Sequence, residues 1–290
     1  MDITSARSRL HDFGPGIIAA TSFGVCNVLS KLVLIDGSDV LTLVLFRGVV
    51  GALFMAAYLK FGPPAKPETP RTRWIGLGIG VLFACIVFSL FKAIELVPVS
   101  IALLTYFAYP LITGIIGAML GLDTLSWRGV VAALIAFFGL TLTIEAHPQE
   151  LAFAGVALGL LGALCRVAVL LIARSELSDS DARWTTWNSL LSSTAIFIVV
   201  ALVTLNWQGP RTVSGWGIMV FVSVGSAISI LGIFMSTARV GPFRTGLIMN
   251  LEPLLATILS VPLLGEGITP LQALGGVIML SALVAFQLRR

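Results

Sequence analysis

Apolar runs of about 20 residues succeed one another along almost the whole chain, each long enough to cross a hydrocarbon layer of roughly 30 Å as a helix. They cover 14–35, 40–61, 74–93, 98–120, 126–144, 151–173, 184–205, 214–238, 242–264 and 270–288, which predicts ten transmembrane helices. The gaps carry turn chemistry: Asp36-Gly37-Ser38, Gly62-Pro63-Pro64, His147-Pro148, Ser178-Asp179-Ser180 and Gly209-Pro210. Pro98 and Pro270 stand where a first-turn proline is tolerated. Alternating lipid-facing patterns of about ten residues, the mark of a membrane barrel, are absent, so the fold class is an all-α membrane protein.

Composition agrees, with 57% hydrophobic and 11% charged residues and a mean hydropathy of +1.02. A soluble domain carries about 25% charged residues. The net charge of +4 does not describe a nucleic-acid surface, because the basic residues fall in the short gaps rather than along one face. Placing the amino terminus inside puts Arg7, Arg9, Lys60, Lys66, Arg71, Arg73, Arg128, Arg174, Arg183, Arg239, Arg289 and Arg290 on the cytoplasmic side. Only Lys31, Lys92 and Arg211 fall on the other. Twelve against three is the bias of the positive-inside rule, so both termini are assigned to the cytoplasm. The first run reads as a retained helix, since no small-residue cleavage site closes it. Cys26, Cys85 and Cys165 lie singly in apolar runs and suggest neither a metal nor redox chemistry.

The chain also repeats itself. A shift of 143 residues sets Phe91 on Phe234, Val97 on Val240, Pro110-Leu111 on Pro253-Leu254, Asp123 on Glu266 and Lys31 on Arg174. The division is 1–146 and 147–290, five spans each. An odd number of spans makes the second copy enter the membrane from the other side, so the halves are inverted-topology repeats. In that transporter architecture a midplane site lies between the halves.

The residues that carry these features resemble the drug/metabolite transporter superfamily, in its ten-helix EamA-type branch of metabolite and amino-acid exporters. The likeness runs from Phe23-Gly24, Asn27 and Lys31 through Phe46-Arg47 to Arg239-Val240-Gly241-Pro242, Leu251-Glu252-Pro253-Leu254 and Gly265-Glu266. Tyr109-Pro110 and Leu122-Asp123 replace the last two patterns in the first half, so the halves are not chemically equivalent. The resemblance implies that helices one to four of each half surround a cavity, with the fifth and tenth outside. It also implies alternating access for small organic solutes, commonly exported, in a bacterial inner membrane.

Polar groups in a bilayer need partners, and a charge at mid-membrane costs about 2.5 to 3.5 kcal/mol on the insertion scale. Arg47 lies well inside the second span and suits either a substrate carboxylate or backbone carbonyls. Arg166 reads either as a substrate group or as a snorkelling side chain near the cytoplasmic end of the sixth span. Glu252 is the acid placed in a helix interior, a candidate for coupling or gating, with helix packing as the alternative. Asn27, Asn188 and Asn250 suit interhelical hydrogen bonds or a solute. Tyr106 and Tyr109, three apart in the fourth span, and Phe83, Phe88 and Phe91 in the third are candidate cavity walls. Lys92 and Glu95 should pair with each other, and Trp184 and Trp187 should belong to an aromatic belt.

The expected partners are a small-molecule substrate and the lipid bilayer, with no nucleic acid, no cofactor and no metal. An intramembrane enzyme is the rival class. His11 and His147 sit outside the spans, no acidic pair shares a helix face, and no GxxxxGK[ST] loop is present. A secondary transporter of small metabolites, amino acids before drugs, is the expected function.

Overall fold

The computed structural model describes residues 3–124, 126–144, 152–205, 207–265 and 267–288. They form twelve helical segments: α1 (Ile3–Ile35), α2 (Val40–Phe61), α3 (Pro70–Leu96), α4 (Val99–Tyr106), α5 (Tyr109–Met119), α6 (Trp127–Ile144), α7 (Phe153–Glu176), α8 (Ala182–Thr204), α9 (Val213–Val240), α10 (Pro242–Met249), α11 (Leu251–Leu264) and α12 (Pro270–Leu288). No strand occurs among the described residues. α4 with α5, and α10 with α11, each make one crossing, so the segments amount to ten membrane helices. Eight crossings have full membrane length, while α6 and α12 are shorter apolar helices.

The fourth and ninth spans are therefore not the continuous helices that hydropathy predicts. Their breaks fall at Phe107 and at Asn250, the same offset of 143 residues that relates the halves. Proline explains both. Pro110 and Pro253 have no N–H, so the carbonyls four residues earlier, on Tyr106 and Met249, lose their helical donors. Those two residues are the last of α4 and α10. α3 begins earlier than its apolar run, because Thr69 and Thr72 cap it reciprocally and Pro70 fills its first turn.

Most of the close packing runs between the halves. α1 lies against α9, α2 against α8 and α9, α3 against α7 and α8, and α6 against α12. The α6–α12 seam is tight because a Cβ added at Gly139 would meet the Gly275 carbonyl at 2.7 Å. Large apolar side chains face outward: Leu53 is 65% exposed, Leu202 67% and Phe88 61%, a surface suited to lipid rather than water.

Each membrane face carries a loop clamp between halves, and the two clamps are copies of each other. On one face Asp39 caps α2 and accepts the backbone N–H of Gln208 from the α8–α9 link. On the other, Asp181 caps α8 and accepts the N–H of Lys66, 3.3 Å away in the α2–α3 link. Acceptor and donor are both displaced by 142 residues. Asp36 reinforces the first clamp by accepting the Thr212 N–H at 3.0 Å and its hydroxyl at 2.8 Å, bonds that hold the Asp36 carboxyl below the usual carboxylate range. Arg183 reinforces the second, bonding Asp181 at 2.6 Å and the Pro63 carbonyl at 2.6 Å. Trp184 joins it through its indole N–H to the Lys66 carbonyl, 3.0 Å, so its role includes more than an aromatic belt.

Candidate functional site

A cavity of about 730 Å³ lies between the halves. Its walls include Asn27 from α1, Arg47 from α2, Tyr106 from α4, Arg166 from α7 and Glu252 from α11, so five of the candidate residues share one space. Aliphatic and aromatic side chains supply most of the remaining wall, among them Phe23, Phe83, Ile86 and Leu103.

Glu252 sits in the first turn of α11 rather than in a helix interior. The break at Asn250 leaves the N–H groups of that turn without helical acceptors, and the positive end of the half-helix dipole favours a carboxylate there. Its partner is Asn27, whose amide donates to Oε1 at 2.8 Å. Gly24 makes this contact reachable: a Cβ there would come within 2.9 Å of Leu255 Cβ and 3.0 Å of the Glu252 carbonyl. With no side chain at Gly24, α1 approaches α11 closely, and Asn27, three residues on, faces the same way.

Arg166 does not snorkel. It is 5% exposed, ten residues from the end of α7, with its guanidinium carbon 5.9 Å from the Phe83 ring centre and 5.7 Å from that of Tyr109. Two aromatic rings lie within cation–π reach of the guanidinium, each contact worth about 0.5–2 kcal/mol. Its Nε has no hydrogen-bond partner. Arg47 lines the same cavity, and among the described residues neither arginine lies within 4 Å of the Glu252 carboxylate. Two guanidinium groups and one carboxylate thus face a shared space without closing on one another.

Three candidates lie beyond the cavity wall. Tyr109 is 1% exposed, its ring tilted against that of Tyr106 with centres 5.6 Å apart and its hydroxyl 3.5 Å from the Gly246 carbonyl; it supports Arg166 from behind. Asn188 donates to the Glu68 carboxylate and packs on Gly76, joining α8 to α3 near the α2–α3 link. Asn250 is 3% exposed at the α10–α11 break, with its Oδ1 unpartnered. Among the phenylalanines, Phe83 lines the cavity, while Phe88 and Phe91 turn outward. Lys92 and Glu95 pair at 2.7 Å. Sequence reasoning missed Phe23, Ser193 and Ser226 as wall residues; apolar or small hydroxyl side chains within apolar helices give no local signal of facing a cavity.

The cavity opens toward one face only. Its lining reaches Val99, the first residue of α4, and Thr143 near the end of α6, but comes no closer than two turns to the opposite, arginine-rich face. Thr143 also shows that the fifth membrane helix, α6, touches the cavity at its tip. At the arginine-rich face the halves are sealed. Asp123 accepts the Phe243 N–H at 3.1 Å, and α10 packs on α5, a Cβ at Gly246 lying 3.3 Å from Pro110. The repeat-related pair, α4 and α11, is instead parted, Val99 and Leu103 from one and Ala256 and Thr257 from the other lining the space between.

The sequence matches the model of the EamA-like transporter family twice, over residues 15–144 and again over 153–286. No curated protein matches it. A solved crystal structure superposes with a TM-score of 0.78 at 19% sequence identity, covering 93% of this chain and 97% of its own, a likeness of fold alone.

Proposed function

Because the chain belongs to the EamA-like transporter family of membrane transporters for small metabolites, we propose that its cargo is a small zwitterion with an apolar side chain, an amino acid, moved by alternating access between the halves. The observation that carries this reading is the placing of Arg47, Arg166, Asn27 and Glu252 around one largely apolar cavity. A substrate carboxylate would take the guanidinium donors, bidentate where geometry allows. An ammonium group would take Glu252 and the Asn27 carbonyl, and an apolar side chain would lie against Phe23, Phe83 and Ile86.

Glu252 is also the group we assign to proton coupling. A carboxylate that binds either a substrate ammonium or a proton makes the two compete, which is sufficient for exchange of one for the other. The direction is export, out of the cytoplasm on which the arginine-rich face would lie, in the inner membrane.

The test is uptake of labelled L-amino acids, organic anions and cationic drugs into proteoliposomes, with and without a proton gradient. Gradient-stimulated accumulation of apolar or aromatic amino acids is expected. Transport confined to cations without a carboxylate would overturn the reading.

A further inference from the structure

A second pocket of about 260 Å³ adjoins the main cavity, and the two meet at Asn27, Ala256 and Thr257. It lies between α1, α11 and the start of α12, and it contains Lys31, Ser260 and Gln272. Leu264 and Gly267 place its outer end at the α11–α12 link, on the face toward which the main cavity opens. Asn27 lies eight residues below the end of α1 at Ile35, roughly 12 Å at 1.5 Å per residue. The pocket therefore runs from an aqueous face to the amide that holds Glu252.

Its lining differs from that of the main cavity. An ammonium, two amides and two hydroxyls line a small space, whereas Val87, Leu90, Val99 and Leu103 line the approach to the main cavity. At about 30 Å³ per molecule the pocket has room for roughly eight waters, with five polar side chains on its wall to bond them. We propose that this side pocket is a water-filled proton route to Glu252, separate from the path taken by the solute.

In the step it serves, a hydronium gives its proton to the Glu252 carboxylate, leaving water and a neutral acid; release is the reverse. The charged and titratable groups that share the cavity wall with Glu252 are Arg47 of α2, Tyr106 of α4 and Arg166 of α7; Tyr109 of α5 lies behind Arg166, the Cys26 thiol of α1 turns to the Val222 carbonyl, Lys31 stands farther out along the pocket, and α6 adds none among the described residues. A separate route lets Glu252 exchange its proton while an apolar solute fills the main cavity. The inference rests on the assignment of Glu252 to proton coupling.

The test follows protonation of Glu252 after a pH jump, by time-resolved infrared spectroscopy of the protein in liposomes, using the carboxylic-acid band lost in Glu252→Gln. In a background with Cys26, Cys85 and Cys165 replaced by alanine, Ser260→Cys is purified, checked for folding and then plugged with N-benzylmaleimide. Gln272→Leu narrows the same pocket without a label, and Val87→Trp crowds the main cavity instead. Plugging at 260 should slow protonation about tenfold or more, Gln272→Leu should slow it in the same direction, and Val87→Trp should leave it unchanged. Rates indifferent to both side-pocket changes, or slowed by Val87→Trp, overturn the separate route. A spectrum with no band dependent on Glu252 at any pH overturns the coupling assignment itself.

Discussion

Glu252 and Arg166 reach the cavity by different means. The first is offered by a helix terminus and restrained by one amide; the second is fixed between two rings. Glu252→Gln keeps the shape and the bond to Asn27 while removing titration. Gradient-driven accumulation in proteoliposomes should be lost, with exchange of labelled for unlabelled substrate retained; unchanged pH dependence would make this a passive facilitator. Arg166→Lys keeps the charge but not the planar fork or the stacking on Phe83 and Tyr109. We expect the KM for uptake to rise about tenfold, a loss of roughly 1.4 kcal/mol, with kcat little changed. Equal KM values would show that Arg166 does not hold the substrate.

At the scale of elements, hydropathy sufficed for the ten crossings because each is a continuous apolar run. It could not show the two breaks. Phe107 is as apolar as its neighbours, and proline is tolerated in membrane helices, so Pro110 and Pro253 do not by themselves mark a full break. Arg47, Arg166, Asn27 and Glu252 stood out individually by the cost of burying them, whereas their convergence depends on how four helices pack. For the same reason Asn188 could not be told from Asn27: both are amides in apolar helices, and packing sends one to Glu68 and the other to Glu252. The half-helix α10 is also a latch, since Asp123 from beyond the end of α5 accepts a hydrogen bond at its first turn. A charge-assisted bond of this kind is worth about 1.5–3 kcal/mol. Asp123→Ala should raise opening at the arginine-rich face by about tenfold. The measurement is modification of Val87→Cys by an impermeant thiol reagent added on that face; no gain in reactivity would remove Asp123 from the latch.

For the molecule as a whole, the two kinds of inter-half contact separate by symmetry. The loop clamps exist on both faces, so exchanging the conformations of the halves would preserve them, and they act as pivots. The α5–α10 seal exists on one face and must break for the cavity to open there. Orientation is checked independently: cysteine at Ser5 and one near the carboxyl terminus should react only from the cytoplasmic side, and one near Pro148 only from the other. Shared labelling of all three from one side would overturn the inverted arrangement.

The interlocking of the halves also bears on how the protein is made. As the chain leaves the ribosome, α1, α2 and α3 enter the bilayer well before α7, α8 and α9, against which they pack. The first five crossings must therefore wait in lipid with Arg47 and the small-residue seam at Gly139 uncovered, a natural substrate for membrane quality-control proteases. Residues 1–146 expressed alone should have a short half-life in pulse-chase labelling, and co-expression with 147–290 should lengthen it several-fold. Equal lifetimes with and without the partner half would mean that the first half completes its own core, contrary to the packing across the α1–α9, α3–α7 and α6–α12 contacts.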